Sequence, residues 1–285
     1  MKVVSKEELI KKVSDPRVLP FVAKKVLDIV SNEDASIVEI CQVIEKDQTI
    51  TASVLKIANS VYYGPRQKVT SIRQAIVILG LKALRNIVLL VSTKLQYKRF
   101  GITEQLMWDH SIGAAIAARQ IAAGRGQELE EIAFLGGLMH DFGKIVMNNE
   151  CPEAFSEVMQ RIYNENDDSL TAEESVFGYN HTDIGAMVVQ QWRFPALFVT
   201  ILQNHHLHLS GLDTIPDPLI AKALACINLA DNICKKLGIG YRNSEDILLL
   251  QDLNSAVFCG LSGDALDQLV SDTRKTYEAE KAVFQ

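Results

Sequence analysis

Apolar residues recur along this chain at intervals of three and four, the period of an amphipathic helix, and strand-like alternation is almost absent. Val22, Val26, Ile29 and Val30 form one such stripe, and Ile37, Ile40, Cys41 and Ile44 form the next. Start signals agree with this period. Ser36 with Glu39, Ser71 with Gln74, and Thr171 with Glu174 each fit a capping box, in which two residues satisfy each other's free backbone donors. Breaks fall at Pro16 to Pro20, Gly64-Pro65, Gly124 to Gly126, Pro152, and Pro216 to Pro218. Leu261 to Phe284 reads as a closing amphipathic helix. The pattern predicts an all-α protein without internal repeats or low-complexity segments.

Composition narrows the class. With 285 residues, 48% hydrophobic and 22% charged, the chain can bury a substantial core, and broad disorder is excluded. Lys6, Glu7, Glu8, Lys11 and Lys12 crowd the N-terminus in a helical pattern with no apolar signal core, so no secretory segment is expected. The most apolar run, Ile76 to Val91, is interrupted by Lys82 and Arg85. Each would cost about 2.5–3.5 kcal/mol at a bilayer centre, which argues against a membrane span and for a cytoplasmic protein. Cys41, Cys151, Cys226, Cys234 and Cys259 are scattered and never form C-x-x-C, so buried free thiols are expected rather than a disulfide framework or zinc finger.

The net charge of −6 divides into +9 between Gln48 and Thr103, where there is no Asp or Glu, and −15 elsewhere. A basic face of this kind would suit a phosphate-bearing ligand, a nucleic acid or an acidic partner. The plainer reading is a solvated surface, or pairing with the acidic remainder of the molecule. Single spacing of the basic residues, without interleaved exposed aromatics, favours that reading, and nucleic acid is not an expected partner. Composition shifts again near Gly101, beyond which lie all six histidines. The expected organisation is an N-terminal helical region over 1–100, a helical bundle over 101–240 and closing helices over 241–285.

Candidate chemistry gathers at His110, His140-Asp141, Lys144, His181, His205-His206 and Asp231. The apolar lead-in Gly136-Gly137-Leu138-Met139 would bury His140-Asp141, and a buried Asp beside a buried His needs a charge-satisfying partner such as a divalent metal. Lys144 stands four residues after His140, so on one helix the two would share a face and the ammonium would neutralise a phosphate oxygen. The alternative is a helix cap with an ordinary ion pair. Adjacent residues on a helix diverge by about 100°, so the doublets make sense only around a centre reached from several helices. Imidazoles mixed with carboxylates suit Fe, Mn, Zn, Ni or Co better than Ca or Mg. Asp141 is the natural bridge between two metals about 3.5–4 Å apart, the spacing that activates water for phosphate ester hydrolysis.

The order of these residues resembles the HD superfamily of metal-dependent phosphohydrolases. The wider sequence, over roughly 19–235, resembles the HDOD family, the HD-related output domain of bacterial signalling proteins. The resemblance rests on Leu19-Pro20, Leu55-Lys56-Ile57-Ala58-Asn59-Ser60, Ser71 to Gly80 and Trp108-Asp109-His110-Ser111. It continues through Phe134 to Asp141, His181-Thr182-Asp183-Ile184-Gly185-Ala186, Trp192-Arg193-Phe194-Pro195 and His205-His206. It implies an N-terminal helical subdomain packed on an HD-type helical bundle, with a regulatory role in signal transduction. Carried over from binuclear relatives, it implies one metal on His110, His140, Asp141 and Asp231. A second would sit on Asp141, His181, His205 and His206, with Lys144 facing phosphate.

Three positions depart from such relatives. No Gly-Tyr-Pro follows His205-His206, which argues against cyclic-di-GMP hydrolysis; Leu106 replaces an acidic residue, so no third metal is expected; and Asp47-Gln48 lacks the usual proline. His208 matches nothing and is expected at the surface. Two functions follow. The first is a regulatory module that acts through contacts with another signalling protein, with one or two ions of Fe, Mn, Zn or Ni in its site. The second is a metal-dependent phosphohydrolase whose substrate is a nucleotide, with Asp141 and Lys144 as its catalytic residues. A homo-oligomer is compatible with either.

Overall fold

The computed structural model describes residues 4–13, 22–23, 25–26, 36–60, 63–65, 67–165, 167–192, 194–206, 209–244 and 248–284. Among them every regular element is helical. The N-terminal part contributes α1 (Lys6–Val13), α2 (Ile37–Glu45), α3 (Gln48–Ala58), α4 (Ile72–Leu79) and α5 (Leu81–Lys94). Next come α6 (Ile102–Ala122), α7 (Gln127–Met139), α8 (Phe142–Glu150) and α9 (Pro152–Gln160), followed by a π-helical turn at Arg161–Glu165. The chain continues with α10 (Ser169–Phe177), α11 (His181–Gln191), α12 (Ala196–Asn204), α13 (Pro218–Leu237), the short α14 (Asn254–Phe258) and α15 (Gly263–Phe284).

Helix α6 is the axis of the bundle, in contact with α7, α13 and α15. Its buried middle is built from Gly113, Ala114, Ala115, Ala117 and Ala118, small residues that let neighbouring backbones approach closely. A Cβ on Gly137 of α7 would lie 2.7 Å from the Ala114 carbonyl oxygen, so that crossing requires glycine. Helix α1 packs on α11 and α8, and Tyr179 Oη donates to the Val4 carbonyl at 2.9 Å. At the other end of the chain, the last carbonyls of α15 receive donors from distant helices. Lys56 Nζ reaches Ala282 O at 3.0 Å, and Lys94 Nζ and Trp108 Nε1 each reach Phe284 O at 3.2 Å. These groups would otherwise lack partners at a helix end.

The closing helix falls where the periodicity places it, while the capping boxes fare less well. Ser71 accepts from Gln74 N, but Gln74 turns its side chain to Thr70 instead. Ser36 precedes α2 without a side-chain cap bond. Helix α10 is capped by Asp168, whose carboxylate accepts from Thr171 N at 3.1 Å, so Thr171 lies inside the helix and is not its cap. An ionised carboxylate also interacts favourably with the positively polarised amides of a helix start. Val22 and Val26 are buried as their stripe requires. Ile29, Val30, Leu19-Pro20, the Pro16 to Pro20 break, Arg193 and His208 lie outside the described residues.

Part of the basic stretch is taken up internally. Lys82 pairs with Glu131 at 3.7 Å, and Lys98 pairs with Glu150. All five cysteines are buried and free. No described helix is long and apolar enough to cross a membrane.

Candidate metal centre

His140 and Asp141 sit at a break in the backbone. Helix α7 ends at Met139, Asp141 adopts φ −94° and ψ 12°, and α8 begins at Phe142. The expectation that His140 and Lys144 share one helix face is therefore corrected. The break lets both members of the doublet turn toward one centre, and Lys144 meets Asp141 instead, Nζ to Oδ2 at 2.9 Å. His205-His206 solves the same problem at the end of α12, which stops at Asn204. His110 comes from the middle of α6, His181 from the first residue of α11 and Asp231 from α13.

Asp141 stands in the middle. Its Oδ1 lies 3.1 Å from His181 Nε2 and 3.7 Å from His205 Nε2, and its Oδ2 lies 3.6 Å from His110 Nε2 and 3.5 Å from His140 Nε2. Asp231 Oδ1 is 3.1 Å from His110 Nε2. Two groups of donors result, each gathered within 4.8 Å: His110, His140 and Asp141 in one, and Asp141, His181, His205 and His206 in the other.

The far side of each ring decides what its near side can do. His140 Nδ1 faces Gly137 O at 2.7 Å, His205 Nδ1 faces Leu202 O at 2.8 Å, and His110 Nδ1 faces Ile239 O at 3.4 Å. A carbonyl only accepts, so each of these Nδ1 atoms carries the proton and each Nε2 turns a bare lone pair inward. Yet His110 Nε2 and His140 Nε2 are 3.2 Å apart, as are His181 Nε2 and His205 Nε2, while His206 Nε2 is 3.1 Å from His181 Nε2. The bare lone pairs of His110 and His140, crowded at this range, repel unless a cation lies between them. Asp141 Oδ1 is buried and accepts no hydrogen bond, an orphan that costs about 1–3 kcal/mol or more for a charged group. Inward-facing lone pairs around an orphaned carboxylate oxygen form a donor set that fits one or two divalent ions.

Burial pushes His140 down to about 3 and also lowers His205 and His206, so all three are neutral at pH 7, the form that binds a metal. Burial would raise Asp141, but the Lys144 ammonium and the surrounding imidazoles hold it well below the usual carboxylate range. Asp231 is likewise held low, against its burial, by Lys235.

Sequence reasoning missed several neighbours. Glu173 is completely buried in α10; its Oε2 takes His181 Nδ1 at 2.6 Å and the His181 amide at 2.7 Å, which fixes the ring as it enters the centre. Lys235 Nζ pairs with Asp231 Oδ2 at 2.9 Å, a partner readable from its i,i+4 spacing on α13. The Tyr241 ring stands edge-on to His110 with centroids 5.1 Å apart, and the guanidinium of Arg242 lies 4.4 Å over the ring of Tyr163. The two ammonium side chains are the open part of the centre: Lys235 is 27% exposed and Lys144 15%, against 5% or less for His110, His140, His181, His205 and Asp231.

Glu173→Gln keeps the shape of that contact and removes the charge. It is expected to weaken metal binding about 10–100-fold without unfolding the protein. A competitive chelator titration measures this, and an unchanged affinity would reduce Glu173 to a packing role.

Known proteins share this architecture. A curated relative, an uncharacterized protein of Treponema pallidum (strain Nichols), is 23% identical over 192 residues, which take in 66% of this chain and 37% of the relative. The chain thus spans little more than a third of that protein's length. An HDOD domain protein of Geobacter sulfurreducens has a solved structure with TM-score 0.74 and 25% identity, over 93% of this chain and 91% of that one. The structure of a protein named as a phosphohydrolase of Shewanella amazonensis SB2B superposes with TM-score 0.73 and 23% identity, over 97% and 96% of the two chains. At that identity it establishes the common helical fold. The HDOD domain profile matches residues 17–208, which include His110, His140, Asp141, His181, His205 and His206. The chain belongs to the HDOD domain family.

Proposed function

We propose that this chain is a regulatory protein of bacterial signal transduction that acts through contact with another protein, and that its His/Asp centre holds one or two ions of Fe, Mn, Zn or Ni. The observation that carries the metal is the convergence of the bare Nε2 atoms of His110, His140 and His205 on the Asp141 carboxylate, whose Oδ1 accepts no hydrogen bond. His110, His140, Asp141 and Asp231 would hold one ion, and Asp141, His181, His205 and His206 the other. Membership of the HDOD family supports the regulatory half of the reading. The near-complete burial of His110, His140, His181 and His205 supports it too, because a centre this enclosed ties α6, α7, α11, α12 and α13 together whether or not anything is turned over. The free, buried thiols fit a cytoplasmic location.

Metal-dependent hydrolysis of a nucleotide phosphate ester is the second reading, and the cationic rim favours it. A divalent ion in such a site supplies Lewis acidity and lowers the pKa of water. The chain's own contribution would be Lys144, an ammonium that Asp141 keeps charged against its burial and that would bind a phosphoryl oxygen.

Elemental analysis of untagged protein purified without chelators is the direct test, with one or two equivalents of metal per chain expected. Metal-free protein that stays so after reconstitution would overturn the site. Lys144→Ala then separates the readings. Partner binding is expected to survive it, whereas any phosphodiesterase activity is expected to fall at least about 100-fold.

A further inference from the structure

Two of the five buried thiols lie together, far along the chain from each other and outside the metal centre. Cys226 is on α13 and Cys259 ends α14; the two helices pack together, and both residues line one cavity of about 170 Å3. Arg125, Leu129, Lys222 and Phe258 complete its wall. Phe258 is 41% exposed, so the cavity reaches the surface even though the cysteines themselves are buried. Arg125 Nη2 donates to the Cys259 carbonyl at 2.6 Å, which places a guanidinium beside that thiol.

We propose that Cys226 and Cys259 are a peroxide-responsive thiol pair that closes to a disulfide. The cavity admits a small hydroperoxide, and Arg125 supplies the positive charge that favours a thiolate. The Cys259 sulfur attacks one peroxide oxygen. The O–O bond breaks, Cys259 becomes a sulfenic acid, and the second oxygen leaves as water with the thiol proton. Cys226 sulfur then attacks the Cys259 sulfur, the S–O bond breaks, and the hydroxyl leaves as water with the Cys226 proton. Two thiols are oxidised and one hydrogen peroxide is reduced to two waters.

The two cysteines have opposite roles in this chemistry, and their surroundings divide them the same way. Arg125, held on the Cys259 carbonyl, lies on the Cys259 side of the pair, and that thiol is lowered, while the neighbouring sulfur and burial raise Cys226. Cys234 goes the other way: its burial, with Asp231 nearby, holds the thiol well up against the Lys235 ammonium. Closing the bond would tie α14 to the helix that carries Asp231, five residues beyond Cys226.

The test is stoichiometric hydrogen peroxide on the full chain, followed by thiol titration in denaturant and peptide mass spectrometry. Loss of two of the five thiols is expected, with a Cys226–Cys259 linked peptide that a dithiol reductant releases. Cys226→Ser removes the resolving thiol, so the sulfenic acid on Cys259 is expected to accumulate and be trapped by a 1,3-diketone. The proposal is overturned if five thiols remain, if the linkage involves Cys41, Cys151 or Cys234, or if Cys226→Ser yields no adduct on Cys259.

Discussion

Asp141→Asn is expected to empty both halves of the metal centre at once. Asp141 is the only residue common to the two donor groups, with one carboxylate oxygen toward His181 and His205 and the other toward His110 and His140. An amide of the same shape carries no charge, offers one oxygen instead of two, and turns N–H donors onto the bare imidazole lone pairs that would otherwise hold the ion. The loss in affinity should exceed the roughly 10–100-fold that a change behind a ligand costs. Elemental analysis reads it directly. A thermal melt gives an independent reading, because an ion that binds only the folded state raises Tm by mass action. Added metal should stabilise the parent protein and leave Asp141→Asn unmoved. Metal content equal to the parent's would show that Asp141 bridges nothing.

Gly143→Ala is expected to be the most damaging of the small substitutions. A Cβ at that position would stand 2.0 Å from the His181 carbonyl oxygen, 2.8 Å from its carbon and 2.9 Å from Gly185 N. All three are backbone atoms in α11, so relief requires moving a helix rather than a side chain. Overpacking typically costs 1–3 kcal/mol, and this site lies at or beyond the top of that range, about 3 kcal/mol or more. The corresponding fall in Tm is on the order of 10 °C. Gly136→Ala is the comparison: its nearest obstacle, at 2.5 Å, is Ile227 Cδ1, the end of a side chain that can change rotamer. The two variants should therefore melt well apart. Gly143→Ala should also lose metal, since α8 begins one residue after Asp141 and α11 begins with His181. Equal melting points would remove the close approach of α8 and α11 as a condition of the site.

Legibility of this protein in its sequence followed the range of each signal. Helix type and the closing helix were readable because periodicity repeats over many residues. Thr171 was a wrong cap because Asp168, three residues earlier, starts the helix by accepting from both the amide and the hydroxyl of Thr171, and a short pattern cannot rank two candidate starts. The importance of Lys144 was readable, but its geometry was not, because the break at Asp141 interrupts the helix on which the i,i+4 argument depends. Lys235 was within reach of the same spacing rule and was missed. Glu173 left no local trace; it comes from a neighbouring helix and meets His181 across a turn.

The sequence by itself determined that the chain is helical, that its family is HDOD and that five histidines and two aspartates are available as donors. These follow from interactions between residues within about one helical turn, or from motifs that are strings of residue types. Only the tertiary structure decided that the Nδ1 protons of His110, His140 and His205 face outward onto carbonyls, that Asp141 Oδ1 is left without a donor, and that Cys226 and Cys259 share one cavity. The reason is physical. Those facts depend on how closely distant helices approach, and that distance is set by glycine and alanine crossings such as Gly137 on Ala114 and Gly143 on His181, whose partners lie tens of residues away along the chain.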